Sequence, residues 1–248
     1  MSYLNDYLVV IFAAGIGKRL GKLGKEKPKS LLKINKQALI DRLVLNLQEY
    51  GASKIFIMVG YKFNLIKKHI KSKNFKNIKF FKVDNFHKNG HALTWYKVKN
   101  FWKNKKQPLI FLHSDIVYDK KFLKNIIISK KKNIIGIKSK KNHKFKPDSL
   151  VVKVRSNIVQ DIDFKKNIKS AEGEVIGINK FSSATTKNIF NYMKKFFNKK
   201  NKNISWELFL KKYIKEKKKK FYIIKNQKFD WININKIKDF NNAKKIGL

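Results

Sequence analysis

The chain has no cysteine, which excludes disulfides, thiolate catalysis and Cys-ligated zinc together. Arginine is nearly absent. Of 60 basic residues only Arg19, Arg42 and Arg155 are arginine, and the other 57 are lysine. Proteins that read nucleic-acid sequence rely on arginine for bidentate contacts to bases and phosphates, so a specific nucleic-acid partner is not expected. Acidic residues are also few, 16 in all, and the formal net charge is +44. The lysine excess accompanies abundant Asn, Ile, Phe and Tyr, residue types written by A+T-rich codons, and reads first as genome composition on a solvated surface. Weak, salt-sensitive attraction to polyanions follows from it, and it favours a phosphate-bearing substrate. No apolar run approaches the ~20 residues of a membrane span, and MSYLNDYLVV lacks both the basic segment and the cleavage site of a signal peptide. A cytoplasmic protein without membrane insertion is expected.

What is present is enough core for one domain. Hydrophobic residues make up 43% of the 248, and neither a linker nor a repeat interrupts them. Residues 7–14 (YLVVIFAA) form an apolar run ending at a glycine loop, as a buried parallel strand does. Helix 38–50 follows, with Leu39, Leu43, Leu47 and Tyr50 on one face and Gly51 closing it. Strands at 54–60, 78–83, 108–115 and 133–138 alternate with helices at 63–71, 91–102 and about 120–130. This alternation predicts a single α/β domain over 1–248, three-layered, with a mixed, mostly parallel sheet. Residues 150–154, 158–163 and 174–181 are closely spaced strands, so some antiparallel pairing is expected there. Helices at 183–198 and 205–216, a strand at 221–225 and a helix from about 236 complete the chain.

The first strand runs into Ala13-Ala14-Gly15-Ile16-Gly17-Lys18-Arg19-Leu20, and Pro28-Lys29 follows a basic loop. The dinucleotide fingerprint fails because its third glycine would be Leu20, and no Walker pattern can be placed. What is left is a glycine turn whose N–H groups can approach a polyphosphate, with Lys18, Arg19 and Lys29 as charge partners.

On Ala13, Ala14, Gly15, Gly17, Arg19, Leu20, Pro28 and Lys29 the chain resembles the nucleotidyltransferases (pyrophosphorylases) that make nucleoside-diphosphate sugars and alcohols. The resemblance is nearest to phosphocholine and 2-aminoethylphosphonate cytidylyltransferase-like members, and it implies a Rossmann-like α/β/α fold. It assigns the glycine loop, Lys18 and Arg19 to the triphosphate of the nucleotide, and Lys29 to the acceptor's phosphate. Asn89-Gly90 resembles the loop over base and ribose. Asp115, at the carboxyl end of a strand, matches the Mg²⁺-binding aspartate. Asp119 reads as the N-cap of the next helix. Asn235 stands where many members have the second metal aspartate; an amide oxygen can still bind Mg²⁺, though more weakly.

Glu172 and Glu174 flank Gly173, two of only six glutamates, and Glu174 is the stronger candidate for holding the acceptor. An ammonium head is held by aromatic faces plus a carboxylate, so Trp95, Trp206, Glu207 and Trp231 join Glu174 as candidates, whereas Trp102 reads as core. A phosphomonoester is already largely dianionic at neutral pH, and its transfer needs positioning and charge neutralisation, not a side-chain base. His91 and His113 therefore need no catalytic task. The resulting expectation is a Mg²⁺-dependent cytidylyltransferase that takes CTP and a small phosphorylated amino alcohol or phosphonate, feeding surface-polymer or lipid synthesis. A sugar-1-phosphate acceptor is the alternative, and the oligomeric state stays open between monomer and homodimer.

Overall fold

The computed structural model describes residues 2–86, 90–102, 106–197, 203–226 and 230–245. Strand β1 (Leu8–Ala13) precedes the glycine loop, a short helix α1 (Lys22–Glu26), a hairpin of β2 (Lys33–Ile34) and β3 (Gln37–Ala38), and helix α2 (Leu39–Glu49). Next come β4 (Ile55–Val59), α3 (Phe63–Ser72), β5 (Ile78–Lys82), α4 (His91–Tyr96) and β6 (Leu109–His113). β7 (Ile116–Tyr118), α5 (Lys120–Ile128) and β8 (Ile134–Ser139) lead to β9 (Leu150–Arg155), β10 (Ile158–Phe164) and β11 (Gly173–Phe181). Helices α6 (Ser183–Phe197) and α7 (Trp206–Lys217), strands β12 (Tyr222–Asn226) and β13 (Trp231–Asn233), and helix α8 (Ile237–Lys245) follow.

One nine-stranded sheet runs in the order β5-β4-β1-β6-β11-β8-β12-β10-β9. Only β10 and β11 oppose the others, but each has opposing neighbours on both sides, so four of the eight neighbouring pairs are antiparallel. The sheet is mixed, as expected, and less parallel than expected. The strand period of two sends alternate residues to opposite faces, each covered by helices. Leu8 and Val10 of β1, with Leu109 and Phe111 of β6, pack against residues of α4, α6 and α7. Val9, Ile11, Ile110 and Leu112 pack against α2, α3 and α5. These continuous apolar runs are buried on both faces, which makes the fold three-layered.

Several local expectations hold. Leu39, Leu43, Leu47 and Tyr50 are buried along α2, and Gly51, with φ of 82°, closes it. Ser156 and Asn157, both with positive φ, make the tight turn between β9 and β10. Asp119 caps α5 by accepting from the Lys121 amide at 2.7 Å. Helix 91–102 is shorter than its periodicity suggests: α4 ends at Tyr96 and a 3-10 turn covers Lys97–Asn100. Trp102 is buried, with its indole donating to the Gln107 carbonyl.

Two features of the fold position the site. First, β11 carries an irregularity between Val175 and Asn179, with Gly177 at φ of 87°. Beyond it the strand pairs with β6, whereas before it Gly173 and Glu174 pair with β9, which folds back beside them. A Cβ at Gly177 would stand 3.1 Å from the His113 ring, so only glycine suits the bend. Second, β7 and β13 form a separate two-stranded sheet, reinforced by a 2.8 Å bond from the Ile234 amide to the Asp115 carbonyl. That small sheet, too short to be read as strands from periodicity, brings the segment of Asn235 beside that of Asp115.

Candidate active site

The site begins where β1 ends. Gly17 adopts the left-handed conformation (φ 73°, ψ 33°), turning the chain into a 3-10 segment at Lys18–Leu20. Ala13, Ala14, Gly15, Gly17, Lys18 and Arg19 line a cavity of about 260 Å³, and Lys29, Asp115 and Asn235 line it too. Every glycine-loop residue named from the sequence thus lines the cavity, whereas Gly90 does not. Asn89 lies outside the described residues; Gly90 opens α4, where the Ala92 amide bonds the Ile204 carbonyl at 3.2 Å.

The charged residues meet at one point. Lys29 Nζ donates to Asp115 Oδ2 at 2.7 Å and to Asn235 Oδ1 at 3.1 Å. Arg19 donates to the same Asn235 oxygen at 2.8 Å, and its guanidinium also lies 3.7 Å from Asp148. Burial pushes the Asp115 carboxyl up, but the Lys29 ammonium and then His113 more than offset it, leaving its pKa below the usual carboxylate range. Asp239 accepts from the Asn235 and Lys236 amides at 3.0 and 2.9 Å, closing the start of α8 and fixing the Asn235 backbone.

A second cavity of about 510 Å³ opens from the same hub; Arg19, His91, His113, Asp115 and Asn235 line both. Its far wall is made by Glu174, His143, Phe164 and Trp231. Glu174 is held by His143, whose Nε2 lies 2.7 Å from Oε2. Glu172 turns away to pair with Lys225 at 2.7 Å. Trp206 departs from the grouping expected of it: it lines the glycine-loop cavity, stacked on Trp95 with ring centroids 4.3 Å apart, and not the Glu174 cavity. Glu207, next to it at the start of α7, does line the cavity of Glu174. His91, read above as needing no catalytic task, lines both cavities at their junction.

Sequence reasoning did not find His143, nor Thr94, which lines the glycine-loop cavity. Trp95, expected with the acceptor, lies instead with Trp206 at the glycine-loop cavity. His143 sits in a lysine-rich loop with no motif around it, and the scarcity of histidine, five in the chain, was the available signal.

No group of three or more His, Asp or Glu side chains forms a metal cage among the described residues. One carboxylate and one amide oxygen, however, converge on a single ammonium. That donor set fits Mg²⁺, which is commonly held by one or two carboxylates with substrate phosphates completing its shell.

Comparison with known proteins identifies the family. The nucleotidyl transferase family profile matches residues 8–246. The chain is 26% identical over 184 residues to CTP:phosphoglutamine cytidylyltransferase of Campylobacter jejuni, covering 70% of this chain and 72% of that protein. Over 81 residues it is 33% identical to choline-phosphate cytidylyltransferase of Streptococcus pneumoniae, covering 32% of this chain and 35% of that one. In fold it matches the CTP:phosphocholine cytidylyltransferase structure from Streptococcus pneumoniae, with a TM-score of 0.78, 20% identity, and 96% and 98% of the two chains covered. The inositol-1-phosphate CTP transferase from T. maritima gives 0.79 at 15% identity, with 96% and 94% covered. The chain belongs to the nucleotidyl transferase family and is a nucleotidyltransferase.

Proposed function

We propose that the enzyme transfers CMP from CTP to a small phosphorylated amino alcohol or phosphonate, releasing pyrophosphate, with Mg²⁺ held by Asp115 and Asn235. The observation that carries this reading is a hub of which Arg19, Asp115 and Asn235 line both the glycine-loop cavity and the second cavity, while Lys29, bonded to Asp115 and Asn235, lines the first. The glycine loop and Lys18 receive the triphosphate, and Arg19 neutralises the charge that grows on the departing pyrophosphate. An acceptor phosphate oxygen attacks the α-phosphorus in line; its new P–O bond forms as the bond to the β-phosphate breaks. Asp115 and Asn235 would hold a Mg²⁺ ion, which would supply charge neutralisation at the phosphates. Lys29, mostly buried at the hub, serves the acceptor phosphate, and the two cavities orient the reactants. The cytidylyltransferase relatives support the choice of CTP.

A sugar-1-phosphate acceptor is the second reading. The hydrogen-bonding wall around Glu174 and the similarity in fold to a glucose-1-phosphate thymidylyltransferase (TM-score 0.78) favour it. Pyrophosphate release, measured with each nucleoside triphosphate against a panel of phosphorylated acceptors, with and without Mg²⁺, tests both.

A further inference from the structure

The larger cavity's lining includes a polar pair, His143 and Glu174, beside Phe164 and Trp231. His143 is anchored there from two sides: its ring meets Phe145 edge-on at 5.6 Å and Trp231 edge-on at 5.8 Å. From that position it holds Glu174 Oε2, and both side chains stay partly open to the cavity, at 28% and 17% exposure. Among the described residues no other side chain bonds the Glu174 carboxylate, so its second oxygen is available as an acceptor. Asn233 Oδ1, from a residue lining the same cavity, is a buried acceptor without a partner among the described residues.

Of the Phe and Trp residues lining this cavity, Phe164 is half-buried and Trp231 buried, so one phenyl ring is on offer and not a cage of faces. Trp231 is only 7% exposed, and Trp206 is 2% exposed with one face against Trp95. A quaternary ammonium has no N–H to give and is bound through ring faces, whereas a head bearing N–H or O–H groups is bound by acceptors such as these.

Resting on the transfer reaction proposed above, we infer that His143 is a specificity-determining residue. It fixes Glu174 so that the enzyme selects acceptors whose end remote from the phosphate donates hydrogen bonds, and discriminates against a quaternary ammonium. The imidazole touches no reacting atom; it acts by orienting the carboxylate that meets the acceptor.

Phosphoethanolamine and phosphocholine differ only in N-methylation and so make a matched pair, with glucose-1-phosphate as the hydroxyl-bearing comparison. With CTP and Mg²⁺, kcat/KM for phosphoethanolamine or glucose-1-phosphate should exceed that for phosphocholine by about tenfold or more, because a site built of acceptors rejects a head that lacks donors. His143→Leu should raise KM for the donor-bearing acceptor about tenfold and leave KM for CTP unchanged. His143→Gln keeps a donor at the same reach and should restore wild-type behaviour. Phosphocholine turned over as well as the better donor-bearing acceptor would overturn the inference and leave cytidylyl transfer standing. So would equal effects of the Leu and Gln substitutions on both substrates, the mark of a merely structural histidine. No pyrophosphate from any acceptor would instead overturn the transfer reaction itself, and the inference with it.

Discussion

Lys29 and Asp115 form the central ion pair of the site, 2.7 Å apart and mostly buried, and the same ammonium reaches Asn235 at 3.1 Å. Asp115 lies in the turn between β6 and β7, and Asn235 follows β13. The small β7–β13 sheet joins their segments, so the hub is held by backbone pairing and not only by its charges.

Removing the Asp115 charge tests that hub. Asp115→Asn should lower turnover roughly 100-fold at limiting Mg²⁺, since a metal ion contributes several kcal/mol of charge stabilisation. Asn235→Asp should raise Mg²⁺ affinity. Metal titrations of initial rate decide this, and unchanged turnover in Asp115→Asn at limiting Mg²⁺ would remove Asp115 from the metal site.

The two cations should separate kinetically. Arg19→Ala should chiefly lower kcat, because charge on the leaving pyrophosphate develops only in the transition state. Lys29→Ala should raise KM for the acceptor more than for the nucleotide. Small and equal effects on both substrates would reduce the pair to basic surface.

Two glycines should answer differently to alanine. Gly15 has no atom within 4 Å of where a Cβ would stand, and its φ is not positive. Gly15→Ala should therefore melt like the wild type yet raise KM for the nucleotide, because the methyl group intrudes where phosphate approaches. Gly177→Ala combines a positive φ with contact against the His113 ring, so it should lose about 1–3 kcal/mol and several degrees in Tm. Calorimetry beside kinetics tests the contrast; a Gly15→Ala protein that melts early would contradict it.

Lys180 gives a signed pH effect. It is buried on β11, donates to the Ile127 and Ser129 carbonyls at 3.1 and 2.7 Å, and so closes α5. Burial lowers its pKa to about 8, whereas an unfolded lysine titrates near 10.4. Between those values the unfolded chain binds more protons, so this residue's contribution to stability rises with pH through that window and is least favourable below it. Comparing Lys180→Met with the wild type cancels the titration of the other lysines. The wild type should gain on the variant from about pH 8 to pH 10 in urea melts. A constant difference over that range would show that the carbonyls keep Lys180 charged.

Legibility followed the range of the interactions. The glycine loop, Arg19 and Pro28-Lys29 were readable because that motif is local and its chemistry acts through backbone N–H groups and fixed charges. The alternating strands were readable because burial on both faces writes continuous apolar runs. β7 was not, since a three-residue strand holds no period. Trp206 and Trp231 were exchangeable by composition, and only tertiary packing put Trp206 on Trp95 and Trp231 beside His143. His143 acquires its meaning from Glu174 across the fold, a contact that neither local sequence encodes.

The most direct measurement of the central claim follows the α-phosphate. With CTP labelled at that position, Mg²⁺ and a phosphorylated acceptor, the label should move into a CMP–acceptor product while unlabelled pyrophosphate appears in equal amount. Label that stays in CTP, or that emerges as free CMP whether or not acceptor is present, would contradict the account.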